Sequence, residues 1–225
     1  MEKLLKIIRL SNHSWFRFVW DGYVLDVDPG YSGPFDSGLL KIIDVDGKSD
    51  AILVSHHHFD HVQLDALRHL MKKETQVYAP AICEEVIPFP YHVIGYGSEI
   101  KVGPLTLQAV PAYNTPMGHS TRKAHVPGEG NGYVFSFNGF RFYFAGDTDI
   151  IPEMSRLGKI DLALLPMGGT YTMDAEEAGE ALIPIKPKWV IPMHELGKPR
   201  NALMEKANKL GIEVKILEVG QSTII

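Results

Sequence analysis

The chain has 225 residues, a formal net charge of −5 and 45% hydrophobic residues. These values are typical of a globular protein, and we expect a single domain over residues 1–225. The net negative charge and the absence of a run of basic residues argue against a nucleic-acid binder, because affinity for duplex DNA or RNA depends on basic side chains that neutralise its phosphates. The single cysteine, Cys83, excludes an intramolecular disulfide and favours a reducing compartment. No apolar run is long enough to span a bilayer, so we expect a cytoplasmic protein without a membrane partner.

Short strands are predicted to dominate the first half of the chain. A hairpin is expected over 14–20 and 23–27, around Asp21-Gly22, and a buried strand over 51–54. A helix over 64–72, a strand over 75–79, a short helix over 82–86 and a strand pair within 101–111 follow. Residues 112–131 have no apolar period. They predict a long loop, and such loops in compact domains are usually functional.

The second half begins with another hairpin signal and then alternates strands with helices. Strands over 133–137 and 141–144 flank Asn138-Gly139, and further strands are expected over 161–165, 189–192 and 213–218. Helices are predicted over 174–185 and 201–210. Asp174 and Glu177 have the spacing of a capping box at the first of these helices.

The two halves resemble each other. Each has a hairpin that ends in an aspartate, Asp28 or Asp147, and each hairpin is followed after a linker by an apolar strand. An internal repeat of this kind predicts an α/β protein with two β-rich halves that pack sheet to sheet, with helices outside.

A dense cluster of imidazoles follows the strand at 51–54, in the run Ser55-His-His-His-Phe-Asp-His61. Imidazole and carboxylate are the ligands for Zn, Mn, Fe, Co or Ni. In an extended loop His56 and His58 point the same way and can bind one ion, whereas Asp60 and His61 can face a second. The alternative, a surface tract of histidines, does not explain why the cluster directly follows a buried strand.

The pattern His56-x-His58-x-Asp60-His61 resembles the HxHxDH signature of the metallo-β-lactamase superfamily. That resemblance implies a four-layer αββα sandwich and two divalent metal ions, with zinc first and Mn, Fe or Ni as alternatives. It also implies that Asp147, in Phe144-Ala-Gly-Asp-Thr148, bridges the ions and that His194, in Pro192-Met-His194, completes the second site. Asp28-Pro29 resembles the first aspartate motif of the family, which is usually structural.

Three further segments narrow the resemblance. They are Asn12-His13-Ser14, the stretch 165–173 and Ile191-Pro-Met-His194. Together they resemble the corresponding segments in the branch of the superfamily that contains L-ascorbate-6-phosphate lactonase. We expect His13 to support the metal ligands, although a core histidine with satisfied hydrogen bonds is the alternative.

One family ligand is replaced in this chain. Where many relatives carry a histidine after Val110-Pro-Ala-Tyr113, this chain has Asn114, and asparagine is a poorer ligand for a zinc-type ion. Two histidines follow in the same loop. His125 lies where relatives with the same local sequence have a replacement, so it is our candidate ligand, and His119 is the alternative.

The substrate residues are predicted from two loops. Gly168, Gly169 and Thr170 lie between a strand and a helix, where backbone N–H groups can hold an anion, although a simple tight turn is equally compatible. Tyr171 can stabilise a developing oxyanion. We assign Gly169, Thr170, Tyr171 and Asn114 to the substrate.

The sequence therefore predicts a hydrolase in which a metal-bridging hydroxide attacks a lactone or phosphodiester. Asp60 is the expected catalytic residue, since it can orient the nucleophile or carry a proton. A small-molecule substrate is expected, and the oligomeric state, including a homo-oligomer, stays open. The alternatives are a non-catalytic, metal-stabilised binding module and a di-iron redox protein, and the second conflicts with His58, where the oxidases carry a glutamate.

Overall fold

The computed structural model describes residues 4–32 and 45–225. They divide into two compact units. The first unit comprises Met1–Ile94 and Leu217–Ile225, and the second comprises Gly95–Ile216. Each unit contains one seven-stranded mixed sheet together with helices, so the predicted α/β class is confirmed.

The sheet of the first unit has the strand order β14-β1-β2-β3-β4-β5-β6. Its strands are β1 (Lys6–Arg9), β2 (Phe16–Trp20), β3 (Tyr23–Val27), β4 (Ala51–Leu53), β5 (Gln76–Ala79), β6 (His92–Val93) and β14 (Ser222–Ile224). The described part of this unit also contains helix α1 (Leu64–Leu70) and a short 3-10 helix (Ala81–Glu85). The buried side chains of Ile52, Val54 and Leu67 belong to its apolar core.

The sheet of the second unit has the strand order β13-β12-β11-β10-β9-β8-β7. Its strands are β7 (Glu99–Val102), β8 (Leu105–Ala112), β9 (Gly130–Phe137), β10 (Phe140–Phe144), β11 (Leu162–Pro166), β12 (Trp189–Met193) and β13 (Glu213–Val214). Helices α2 (Ala175–Ile185) and α3 (Asn201–Leu210) and a 3-10 helix (Pro152–Arg156) accompany it.

The two units repeat one strand arrangement. Hairpin β2–β3 is antiparallel and is followed by β4, which runs parallel to β3. Hairpin β9–β10 is likewise antiparallel and is followed by β11, which runs parallel to β10, and by the parallel strand β12. The carboxyl ends of parallel strands meet at one edge of a sheet, where ligand-binding residues collect. Asp28 and the histidine cluster follow β3 and β4, whereas Asp147 and His194 follow β10 and β12.

Several local predictions differ from the structure. The last predicted strand, 213–218, ends at Val214, and the strands β6 and β14 were not predicted. The Asp174 side chain does accept the Glu177 N–H, at 2.8 Å. The Glu177 carboxylate does not complete the capping box; it accepts the N–H groups of His119 and Ile150 instead. Among the described residues, no helix has the length and apolarity needed to cross a membrane.

Candidate metal centre

The loop after β4 brings three imidazoles together in the first unit. His56 and His61 are buried, and His58 is partly buried. His56 Nε2 lies 3.1 Å from His58 Nδ1, and the rings of His56 and His61 have their centroids 4.0 Å apart. Gly30 lies directly beside this loop, because a methyl group added to it would lie 2.4 Å from the backbone nitrogen of His61. The chain therefore holds the histidine loop by close backbone contact.

Asp60 adds a carboxylate to these rings. Its Oδ2 atom lies 3.8 Å from His61 Nε2 and 3.6 Å from His13 Nε2. These separations exceed those of a normal hydrogen bond. They are close to the ~3.3 Å edge of a tetrahedron whose zinc–nitrogen distances are about 2.0–2.1 Å. The donor set thus fits a divalent cation, and the structure brings buried His13 into direct contact with the set.

Asp28 orients the His61 ring. Its Oδ2 atom lies 2.7 Å from His61 Nδ1, and its two oxygens accept the N–H and the hydroxyl of Ser55, both at 2.6 Å. Burial raises the pKa of the Asp28 carboxyl. The charge of His61 and the hydrogen bonds from His61 and Ser55 oppose that rise. Because the His61 Nδ1–H points to the Asp28 carboxylate, Nε2 and its lone pair lie on the side of the ring away from Asp28, as in carboxylate–histidine–zinc triads.

The second unit has its own cluster of buried groups at the ends of β10 and β12. Asp147 Oδ2 lies 3.4 Å from His194 Nε2 and 3.5 Å from His125 Nε2. All three side chains are at most 5% exposed. The spacing again matches ligand atoms around a cation better than hydrogen bonds. His194 has a φ of 53°, a left-handed conformation that is costly for a residue with a Cβ and is often found at functional sites.

The His125 ring is oriented by two oxygen acceptors. Its Nδ1 atom lies 3.1 Å from Asn114 Oδ1 and 3.1 Å from the Tyr171 carbonyl oxygen. Because both partners accept, Nδ1 carries the proton and Nε2 keeps its lone pair toward Asp147. The Asn114 side chain also donates to the Tyr171 carbonyl at 2.8 Å. These contacts give Asn114 a role in holding His125.

His119 has different surroundings. Its side chain is 43% exposed, and its Nδ1 lies 3.0 Å from Asp174 Oδ1 at the start of α2. The hydrogen bond to Asp174 raises the pKa of His119 above 6.5. Of the two loop histidines, only His125 lies among buried groups with ligand chemistry, which favours it as the candidate.

Two buried carboxylates hold the loop that carries these histidines: Asp149, which the sequence analysis missed, and Glu177, which it assigned only to a capping box. Asp149 accepts the N–H of Thr115, the hydroxyl of Ser120 and the ammonium of Lys123, at 2.8, 2.8 and 3.0 Å. Glu177 accepts the N–H of His119 at 2.9 Å. Asp149 lies two residues after Asp147, and that closeness was the one available signal.

The glycine turn after β11 uses its own amides internally. The Gly168 N–H donates to the Thr172 hydroxyl and the Gly169 N–H to the Met173 carbonyl. The Tyr171 hydroxyl accepts a hydrogen bond from Arg122 at 2.9 Å. The N–H groups of both glycines are therefore used within the turn itself.

Comparisons with known proteins place the chain in a family. Residues 8–194 match the model of the β-lactamase superfamily domain. A UPF0173 metal-dependent hydrolase of Carboxydothermus hydrogenoformans is 30% identical over 97% of this chain and 99% of its own length.

Two solved structures are also similar. A candidate metal-dependent hydrolase from Parabacteroides distasonis has a TM-score of 0.84 and 30% identity, over 96% of this chain and 93% of that one. Igni18, a metallo hydrolase from Ignicoccus hospitalis, has a TM-score of 0.80 and 26% identity, over 99% of this chain and 98% of that one. The chain therefore belongs to the β-lactamase superfamily, among the proteins named UPF0173 metal-dependent hydrolases.

Proposed function

We propose that this protein hydrolyses a lactone or a phosphodiester with the help of two divalent metal ions, zinc first. The observation that carries the proposal is the spacing of imidazole and carboxylate atoms, most of them buried, near the strand ends of both units. These atoms lie 3.4–3.8 Å apart, as ligand atoms of one cation do. The relatives' shared name, metal-dependent hydrolase, points the same way.

The proposed ligands come from both units. The first unit supplies His56, His58, Asp60 and His61, and the second supplies His125, Asp147 and His194. The resemblance of the motifs, in their order along the chain, assigns these two sets to one binuclear centre. We accordingly propose that residues 1–225 form one hydrolase domain.

Bound divalent ions would supply an activated water and would polarise the substrate oxygen that develops negative charge. The protein's own groups keep the ligands in the required protonation state. Asp28 holds the proton of His61 on Nδ1, and Asn114 together with the Tyr171 carbonyl does the same for His125. Asp60 is partly exposed, and we assign it the transfer of the proton that leaves the attacking water.

A non-catalytic metal-binding module is the competing function. It would hold metal in a closed coordination shell and turn over no substrate. Groups that stay partly exposed beside the candidate ligands, such as Asp60 and His58, favour an accessible site.

The test is metal content and hydrolysis measured together. Elemental analysis of protein purified without chelator should give a metal-to-chain ratio near two, and lactone and phosphodiester panels should show turnover. His58→Ala and Asp147→Ala remove one ligand from each set, so each should lower the ratio and abolish turnover. His92→Ala is the matched control, because that histidine is exposed and contacts Gln76 on strand β5.

Full activity in either ligand variant would refute the site assignment. A ratio near two in the wild type without any turnover on either panel would favour the binding module. A ratio near one would support a mononuclear enzyme and would contradict the second metal site.

A further inference from the structure

Arg122 is a cation in the second unit that is fixed in place without a carboxylate partner. Its N–H donates to the Thr170 carbonyl at 2.7 Å, and its guanidinium donates to the Tyr171 hydroxyl at 2.9 Å. The guanidinium carbon lies 5.7 Å from the centre of the Tyr171 ring. Within residues 4–32 and 45–225, no carboxylate forms an ion pair with Arg122. By contrast, Arg17 and Arg200 pair with Asp26 and Glu195.

An arginine held by an aromatic hydroxyl keeps both its full charge and most of its donors. The guanidinium has five N–H groups in a planar fork, and one of them is used by Tyr171. The remaining groups suit two oxygens of a carboxylate or a phosphate, which arginine binds in a bidentate manner. Because the backbone and the head group are both already fixed, little conformational entropy is lost when such an anion binds.

Tyr171 connects Arg122 to the candidate metal ligands. Its carbonyl oxygen accepts the proton of His125 Nδ1, whereas its hydroxyl accepts the proton of Arg122. Only two residues separate Arg122 from His125, and the three steps between their Cα atoms span at most about 11 Å in an extended chain. A small molecule can therefore contact the guanidinium while its reacting group lies beside His125.

The nearby cavity is a poorer anion site. It has a volume of about 330 Å³ and is lined by Thr121, Thr170 and Lys198, but also by the carboxylates of Asp174 and Glu176. Two carboxylates repel an anion more than one lysine attracts it, because the net charge of the lining is negative. The anion-binding position is thus the Arg122 guanidinium and not this cavity.

We propose that Arg122, positioned by Tyr171, binds an oxyanion group of the substrate, a carboxylate or a phosphate, at a distance from the bond that is hydrolysed. The inference rests on the proposed function and narrows it to anionic small molecules. Tyr171 acts as a positioning residue for the guanidinium.

The experiment compares matched lactones on the metal-loaded protein. γ-Butyrolactone is the neutral substrate, and its ring-carboxylated and phosphomethyl derivatives are the anionic ones. The wild type should prefer an anionic derivative, and Arg122→Gln should reduce the ratio of kcat/KM for anionic over neutral substrate by roughly 10- to 100-fold. The loss should appear mainly in KM. Tyr171→Phe should give a smaller loss of the same kind, and Arg156→Gln, an exposed arginine of the same unit, should leave the ratio unchanged.

Binding of monomethyl phosphate, measured by calorimetry on the same proteins, decides the inference independently of turnover. The dissociation constant should rise at least about tenfold in Arg122→Gln. Equal ratios or equal dissociation constants in wild type and Arg122→Gln would overturn the inference. If neither lactones nor phosphodiesters are hydrolysed but the difference in phosphate affinity is present, the hydrolase proposal fails and the anion site stands.

Discussion

Replacing Asp28 by asparagine tests whether a buried carboxylate sets the protonation of His61. Asparagine has the same shape and tolerates the left-handed conformation of Asp28, whose φ is 50°, so backbone strain does not change. The Ser55 N–H keeps its acceptor on Oδ1. At Oδ2, however, an acceptor 2.7 Å from His61 Nδ1 becomes an NH₂ donor.

Two donors cannot face each other at that distance, so the neutral His61 ring must move its proton from Nδ1 to Nε2. Nε2 then lacks the lone pair that a metal ion requires. Loss of such an outer hydrogen-bond partner typically lowers metal affinity about 10- to 100-fold, which corresponds to roughly 1.4–2.7 kcal/mol. We expect the zinc dissociation constant of Asp28→Asn to rise by that factor.

The assay is a zinc titration against a chromophoric chelator, with imidazole ¹⁵N shifts to identify the tautomer of His61. Asp50→Asn is the control, because Asp50 directly precedes strand β4 of the same sheet and accepts the Val24 N–H away from the histidine loop. Wild-type zinc affinity in Asp28→Asn, or a proton that remains on His61 Nδ1, would refute the reasoning.

Two further changes test the second unit. His125→Ala should reduce the zinc content by up to one ion per chain, because His125 lies beside Asp147. His119→Ala should leave the zinc content unchanged, because His119 is exposed and paired with Asp174. The reverse order in elemental analysis would make His119 the ligand. Gly168→Ala places a methyl group 2.6 Å from the His194 carbonyl oxygen. In urea titrations this substitution should lower the free energy of unfolding by about 1–3 kcal/mol, and it should also reduce the metal content. An unchanged unfolding midpoint would show that the loop relaxes without cost.

The regular elements could be predicted because their signals are local. Asp21-Gly22 and Asn138-Gly139 specify two-residue hairpin turns, and all four residues have positive φ values, as such turns require. Strand β14 was missed because Ser222–Ile224 is three residues long and pairs with β1 from the far end of the chain. No local pattern encodes a pairing over that distance.

Candidate ligands were predictable where they lie at fixed spacing after a strand. The choice of His125 over His119 came from the resemblance alone, because both lie in a loop without periodicity and their different surroundings arise from partners distant in sequence, Asp174 and Tyr171. Arg122 gave no signal at all, because an isolated basic residue in a loop is indistinguishable from a solubilising one until its neighbours are known. The role of Asn114 depended in the same way on its contact with His125.

The left-handed backbone at Asp28 and His194 restricts how this scaffold can be stabilised. Glycine at His194 would relieve about 1–2 kcal/mol of conformational strain, whereas glycine at Asp28 would also remove the acceptors of Ser55 and His61. A screen for thermostability would therefore reward loss of the His194 side chain, on which the proposed chemistry depends. Directed evolution of this protein should select for turnover in every round, or the most heat-resistant variants will be inactive ones.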